Sequence, residues 1–154
     1  MRFVVVLSLV SVAIAPAVAF TPVALAANDK ILDTQQITAL EARAAQAAPK
    51  EQCFLYAELA HSMTELAGQQ LTAGNGRDAS ASLKAVQKYT AQIHMNVADD
   101  AKKLKNAEIL MRHTAFRLKE IMMGASLDDQ PTLQSTLKQL DQVESEMMLQ
   151  VFKR

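Results

Sequence analysis

The chain has 154 residues, 16 Lys and Arg against 16 Asp and Glu, and half of its residues are apolar. A chain of this length is read as one domain. Its balanced charge, with no basic cluster, gives it no electrostatic footprint for nucleic acid or anionic membrane surfaces. With no Trp, four Gly, four Pro and an abundance of Ala, Leu, Gln, Lys and Glu, the composition is that of an all-α protein with an aliphatic and methionine core.

Residues 1–26 are read as a signal peptide. Arg2 supplies the positive start, Phe3 to Ala19 the apolar run, and Ala24-Leu25-Ala26 the small residues before a cut. Ala17-Val18-Ala19 is a second candidate cleavage site, so the cut follows Ala19 or Ala26. Pro16 and Pro22 disfavour the alternative of an uncleaved anchor, and no cysteine stands where a lipid anchor needs one. The expected product is a helical domain of residues 27–154, periplasmic or secreted, with no membrane span left. Loss of Arg2 leaves it one residue more acidic than basic. Cys53 is the only cysteine, so an exported chain has no internal disulfide. It is expected to be a small buried apolar side chain, the alternative being a disulfide across a homodimer.

The first predicted helix starts at Asp33, with Gln36 completing a capping box. Ile37, Leu40, Ala44 and Ala47 form its stripe, and Pro49 ends it. The second begins at Pro49, which suits a first turn. Its stripe is Tyr56, Leu59, Ala60, Met63, Leu66, Ala67 and Leu71. Gly74-Asn75-Gly76 turns the chain, and Asp78 is expected to cap the next helix.

From Ala79 to Ile121 the spacing runs three, four, three, four for about six heptads, without Pro or Gly. Leu83, Val86, Ile93, Leu104, Met111 and Leu118 fall on it. The spacing predicts one long central helix over about 79–123, roughly 65 Å at 1.5 Å per residue. Its second half carries extra apolar residues (Ile109, Leu110, Phe116, Met122, Met123), which predicts that half as the hub of the core. Asp99–Lys103 and Glu108–Arg112, four apart in the favourable order, support continuity. The alternative is a break near Asn96 to Asp100 and a compact bundle. After Gly124 and a loop over Ala125 to Gln130, Asp128 or Asp129 caps a last helix with Pro131 in its first turn. That helix is lined by Leu133, Leu137, Leu140, Val143, Met147, Met148 and Val151. The expected fold is therefore all-α, an antiparallel bundle of about four helices organised on one long central helix.

Three histidines carry the candidate chemistry. Glu58-Leu59-Ala60-His61 has the Glu-x-x-His spacing of di-iron bundles, but His94 and His113 lack the carboxylate a second unit needs. Glu58, His61 and Glu65 are therefore read as a solvated face. Folding the second helix back from the Gly74 turn brings His61 level with His94, with Met63 and Met95 nearby. This is a candidate copper site, since soft sulfur and imidazole donors suit that metal. The last hairpin brings His113 level with Asp141, read as a structural interhelical pair, or as base and orienter of a catalytic site. No nucleophile stands beside it. Arg112, His113, Arg117 and Lys119 form the densest basic spot, diluted by Glu108 and Glu120. Gly-rich phosphate loops, His-Glu-x-x-His and cysteine pairs are absent, which argues against an enzyme.

Gly74, Ala79, Leu83 and Val86, with Leu66 and Ala67 before them, resemble the turn and helix spacing of a tetratricopeptide unit. The likeness covers one hairpin, with no second copy at a 34-residue period. Segments 53–65 (CFLYAELAHSMTE) and 104–118 (LKNAEILMRHTAFRL) also resemble parts of small exported helical proteins of bacteria that have no assigned function. That resemblance implies no activity, cofactor or site. The sequence thus points to an exported, non-enzymatic structural or protein-interaction module whose partner is a protein, a second copy included. The alternative is a periplasmic copper-binding protein using His61, His94, Met63 and Met95.

Overall fold

The computed structural model describes residues 31–93 and 101–153. The predicted signal peptide, His94, Met95 and the suspected break at Asn96 to Asp100 lie outside the described residues. All regular structure described is helical: α1 (Thr34–Gln46), α2 (Pro49–Thr72), α3 (Gly76–Ala91), α4 (Ala101–Gly124) and α5 (Gln130–Phe152). None of these helices is long and apolar enough to cross a membrane.

Local sequence sets most of the boundaries. The Asp33 carboxylate accepts from the Gln36 N–H at 2.8 Å, and the Gln36 side chain accepts from the Asp33 N–H at 3.1 Å. This is the reciprocal cap that the two residues predicted. Pro49 opens α2, where its missing N–H costs nothing. At the far end Gly74 takes φ 78°. Its N–H donates to the Leu71 carbonyl, and that of Asn75 to the Gln70 carbonyl at 2.7 Å. Two otherwise orphaned carbonyls are satisfied by one left-handed residue. The next helix starts at Gly76, so Asp78 lies in the first turn of α3 rather than capping it. Asp129 stands at the start of α5, but its carboxylate accepts from the Ser126 hydroxyl at 2.7 Å instead of from the helix.

The central helix of about 79–123 is corrected. It is two helices, α3 and α4, which run in opposite directions. Ser82 donates to Gln70 at 2.7 Å and Tyr56 stacks on Tyr89, so α2 and α3 are antiparallel. Between α2 and α4 the partners rise together: Glu51 with Lys103, His61 with Thr114, Glu65 with Arg117, and Gly68 against Ile121. Those two helices are parallel, and one straight helix through α3 and α4 is excluded. α5 runs back along α4, joined by Arg112–Glu144 and Lys119–Asp141. It also packs on α3, where Gln87 donates to Thr136 at 2.8 Å and its carbonyl accepts from Gln139 at 2.9 Å. The ring around the core is α2, α3, α5, α4, with α1 laid on α2. Folding back wins because a rod would cover α4 with α5 alone. In the bundle each of these four helices has at least two neighbours, and more apolar surface leaves water.

The hub is also corrected. It is α2, which packs against α1, α3 and α4. Its buried residues (Cys53, Leu55, Ala57, Leu59, Ala60, Thr64, Ala67 and Gly68 among them) go most of the way round the helix. Small residues make this feasible: a Cβ on Gly68 would stand 2.9 Å from the Ile121 side chain. Of the five extra apolar residues of α4, Leu110 and Met122 pack against the core and the other three point outward. Ile109 is 47 % exposed, Phe116 61 % and Met123 84 %. Cys53 is free and buried, and burial pushes its thiol up to about 11. A bridge to a second copy through Cys53 would require opening the core.

Candidate functional site

Three helices leave a groove of about 870 Å³ between them. α1 faces it with Gln36, Ala39, Leu40 and Arg43, after Leu32 at its entrance. α2 gives Phe54, Glu58, His61 and Ser62, and α4 gives Asn106, Ile109, Leu110 and His113. Each set repeats at three, four and seven or four, seven and eight residues from its first member, so each is one stripe of one helix. The groove exists because α1 covers only part of the hub. It crosses over α2 and is tied at its far edge to α3, where the Tyr89 hydroxyl donates to Glu41 and Lys88 pairs with the same carboxylate at 3.5 Å. The strip of α2 between α1 and α4 stays open.

Inside the groove, apolar walls of Leu32, Leu40, Phe54, Ile109 and Leu110 surround a few polar groups. His61 Nδ1 lies 3.1 Å from the Thr114 hydroxyl. That hydroxyl donates its own proton to the Leu110 carbonyl at 2.8 Å. With that proton so placed, the hydroxyl accepts from His61 Nδ1. His113 meets His61 edge to face, with ring centroids 6.3 Å apart. Glu58 is half-buried between Phe54 and His61. Burial pushes its carboxyl above the usual range, and the nearby Arg43 charge pulls it partly back. Among the described residues no hydrogen bond or ion pair reaches that carboxylate.

The sequence-predicted sites fare unequally. His61 is in the groove. Met63, two residues on, stands about 200° round the same helix and packs against the core cluster, so the two do not converge from α2. His94 and Met95 lie outside the described residues. No group of three or more His, Cys, Asp or Glu among the described residues is placed to hold a metal. His113 and Asp141 do not meet. His113 faces α2 and the groove, while Asp141 pairs with Lys119 at 3.5 Å, about 120° round α4. The face read as solvated is split. Glu65 is buried under Arg117, whose Nε donates to both carboxylate oxygens at 2.8 and 3.1 Å. Glu58 turns into the groove. Arg43 and Phe54 were not singled out from the sequence, and Leu110 stood out only as part of the hub, because nothing in α1 alone shows which side of α2 it covers.

A second hollow of about 970 Å³ lies under the α4–α5 connection. Most of its charged groups are already engaged, Glu120 by Arg117 at 3.1 Å and Asp129 by Ser126, and the remaining carboxylate, Asp128, is exposed to solvent. The α1–α2–α4 groove, apolar with a carboxylate that has no bonded partner, is the better candidate. No family model, no curated protein and no solved structure matches the chain.

Proposed function

We propose that the protein is an exported, non-enzymatic binding module and that it binds in the groove between α1, α2 and α4. The observation that carries this reading is the groove itself. Its volume falls within the range of small-molecule sites, and its walls are mostly apolar with a few converging polar groups. Among the described residues the groove offers neither an activated nucleophile, since the Ser62 hydroxyl donates to the Glu58 carbonyl at 2.9 Å and not to a histidine, nor a His113–Asp141 pair to orient a base, since Asp141 pairs with Lys119. Binding needs neither. The test is titration with a neutral dye whose fluorescence rises in apolar surroundings. The natural chain is expected to give a saturable rise, and Leu110→Trp, which fills the groove from α4, to remove it. An equal rise in the variant would overturn the reading.

Self-association is a second reading, supported by the outward stripe of α4. Ile109, Phe116 and Met123 recur every seven residues along one face, the spacing by which one helix seats on another. It expects a light-scattering mass that climbs toward the dimer as concentration rises, and that returns to the monomer in Phe116→Glu. A monomer at every concentration would remove it.

A further inference from the structure

We propose that the groove takes an amphipathic amine, with its ammonium group at Glu58 and its apolar body along Leu40, Phe54 and Leu110. The inference rests on the binding reading above and names the class of ligand. Three observations point to a cation rather than an anion or a neutral apolar body.

Glu58 is half-buried on α2 in mostly apolar surroundings, with no hydrogen bond or ion pair to its carboxylate among the described residues. A carboxylate held that way is destabilised by the loss of water, and burial accordingly raises its affinity for a proton. An incoming ammonium supplies the missing donors and the missing opposite charge together. Phe54 lies one helical turn before Glu58 on the same stripe, and an aromatic face beside a carboxylate is a favourable setting for an organic cation. The competing positive group, Arg43, is exposed on α1 and forms no ion pair with Glu58. It also lies near Glu51, whose carboxyl it helps to hold down. An anionic ligand drawn to Arg43 within the groove would also meet the Glu58 charge, since both residues line it and the two charges act on each other.

The apolar part follows from size. A cavity of about 870 Å³ holds far more than a bare ammonium ion. Leu40, Phe54 and Leu110 offer a run of apolar wall on which a chain or ring system gains about 0.8 kcal/mol for each methylene removed from water.

The experiment compares three probes of one chain length, octylamine, 1-octanol and octanoate, by titration calorimetry on the full chain. The expected order is amine, alcohol, carboxylate, with the amine about tenfold tighter than the alcohol. In Glu58→Gln the amine is expected to fall to the affinity of the alcohol, while the alcohol itself changes by less than about twofold, since the substitution keeps size and removes only charge. Circular dichroism of the variant checks that its helices are intact. Alcohol and amine binding equally would sink the cation assignment and leave the groove as an apolar site. Octanoate binding tightest would transfer the charge recognition to Arg43 and overturn the proposal. Failure of all three to bind would remove the binding reading itself.

Discussion

Leu59→Ala is expected to lower the free energy of unfolding by about 3 kcal/mol and the melting temperature by about 10 °C. Leu59 is fully buried in the middle of α2, the one helix that packs on three others. Removing its isobutyl group leaves a void that rigid helical neighbours fill only in part, so a cavity cost adds to the lost transfer energy. Phe116→Ala, on α4, removes a larger side chain. Phe116 is 61 % exposed, so its expected cost is about 0.5 kcal/mol or less. Chemical denaturation of the two variants decides where the hub is. A larger loss for Phe116→Ala than for Leu59→Ala would restore the second half of the long heptad run to the centre of the core.

That pair shows where sequence patterning stops. The three-four spacing from Ala79 to Ile121 is real: Ala79, Leu83, Val86, Leu104, Ala107, Met111 and Leu118 are all buried. Periodicity records which side of a helix faces apolar neighbours. It does not record whether two runs that share a phase share an axis. A helix that stops and reverses keeps the same spacing on each side of the turn, and α3 ends at Ala91 with neither Pro nor Gly to announce it. The ends that were legible (Asp33, Pro49, Gly74, Pro131) are those where one side chain or one backbone angle sets the boundary.

Hub and groove were hidden for related reasons. α2 has few large residues. Its centrality comes from Ala57, Ala60, Ala67 and Gly68, which count little as hydrophobes but let three helices approach closely. α4 has the large residues, and seven-residue spacing sends Ile109, Phe116 and Met123 outward. One signal of the true arrangement was present in the chain. Glu51 and Lys103, and Glu65 and Arg117, are opposite charges separated by the same stretch of sequence, |i−j| of 52 in both pairs. A constant offset between complementary charges is what two parallel helices produce, and it also sets His61 beside Thr114 and so beside His113. The Glu58 environment depends on where α1 lies over α2. That placement is held by Glu41 reaching Tyr89 and Lys88 on α3, a relation among three helices that no single stripe encodes.

Arg117→Met is the second substitution with a large expected effect, about 2 kcal/mol of destabilisation in thermal or urea unfolding. Glu65 is 5 % exposed on the hub helix, and Arg117 Nε donates to both of its oxygens. Without the guanidinium the protein keeps a buried carboxylate with nothing to replace the water it lost. Fully buried pairs lose about 3–5 kcal/mol when one partner is removed. The Arg117 side chain is 41 % exposed, so water reaches the vacated space and lowers the cost. The link from Arg117 to Glu120 is exposed at both ends and adds little. Removing both charges separates desolvation from packing: Glu65→Leu with Arg117→Met is expected to recover to within about 1 kcal/mol of the natural chain, because no ion is then left buried. If the double substitution is as unstable as Arg117→Met alone, the guanidinium acts through its packing against α2. If Arg117→Met costs nothing, α2 and α4 are not joined at that level, and the parallel pairing that forms the floor of the groove fails with it.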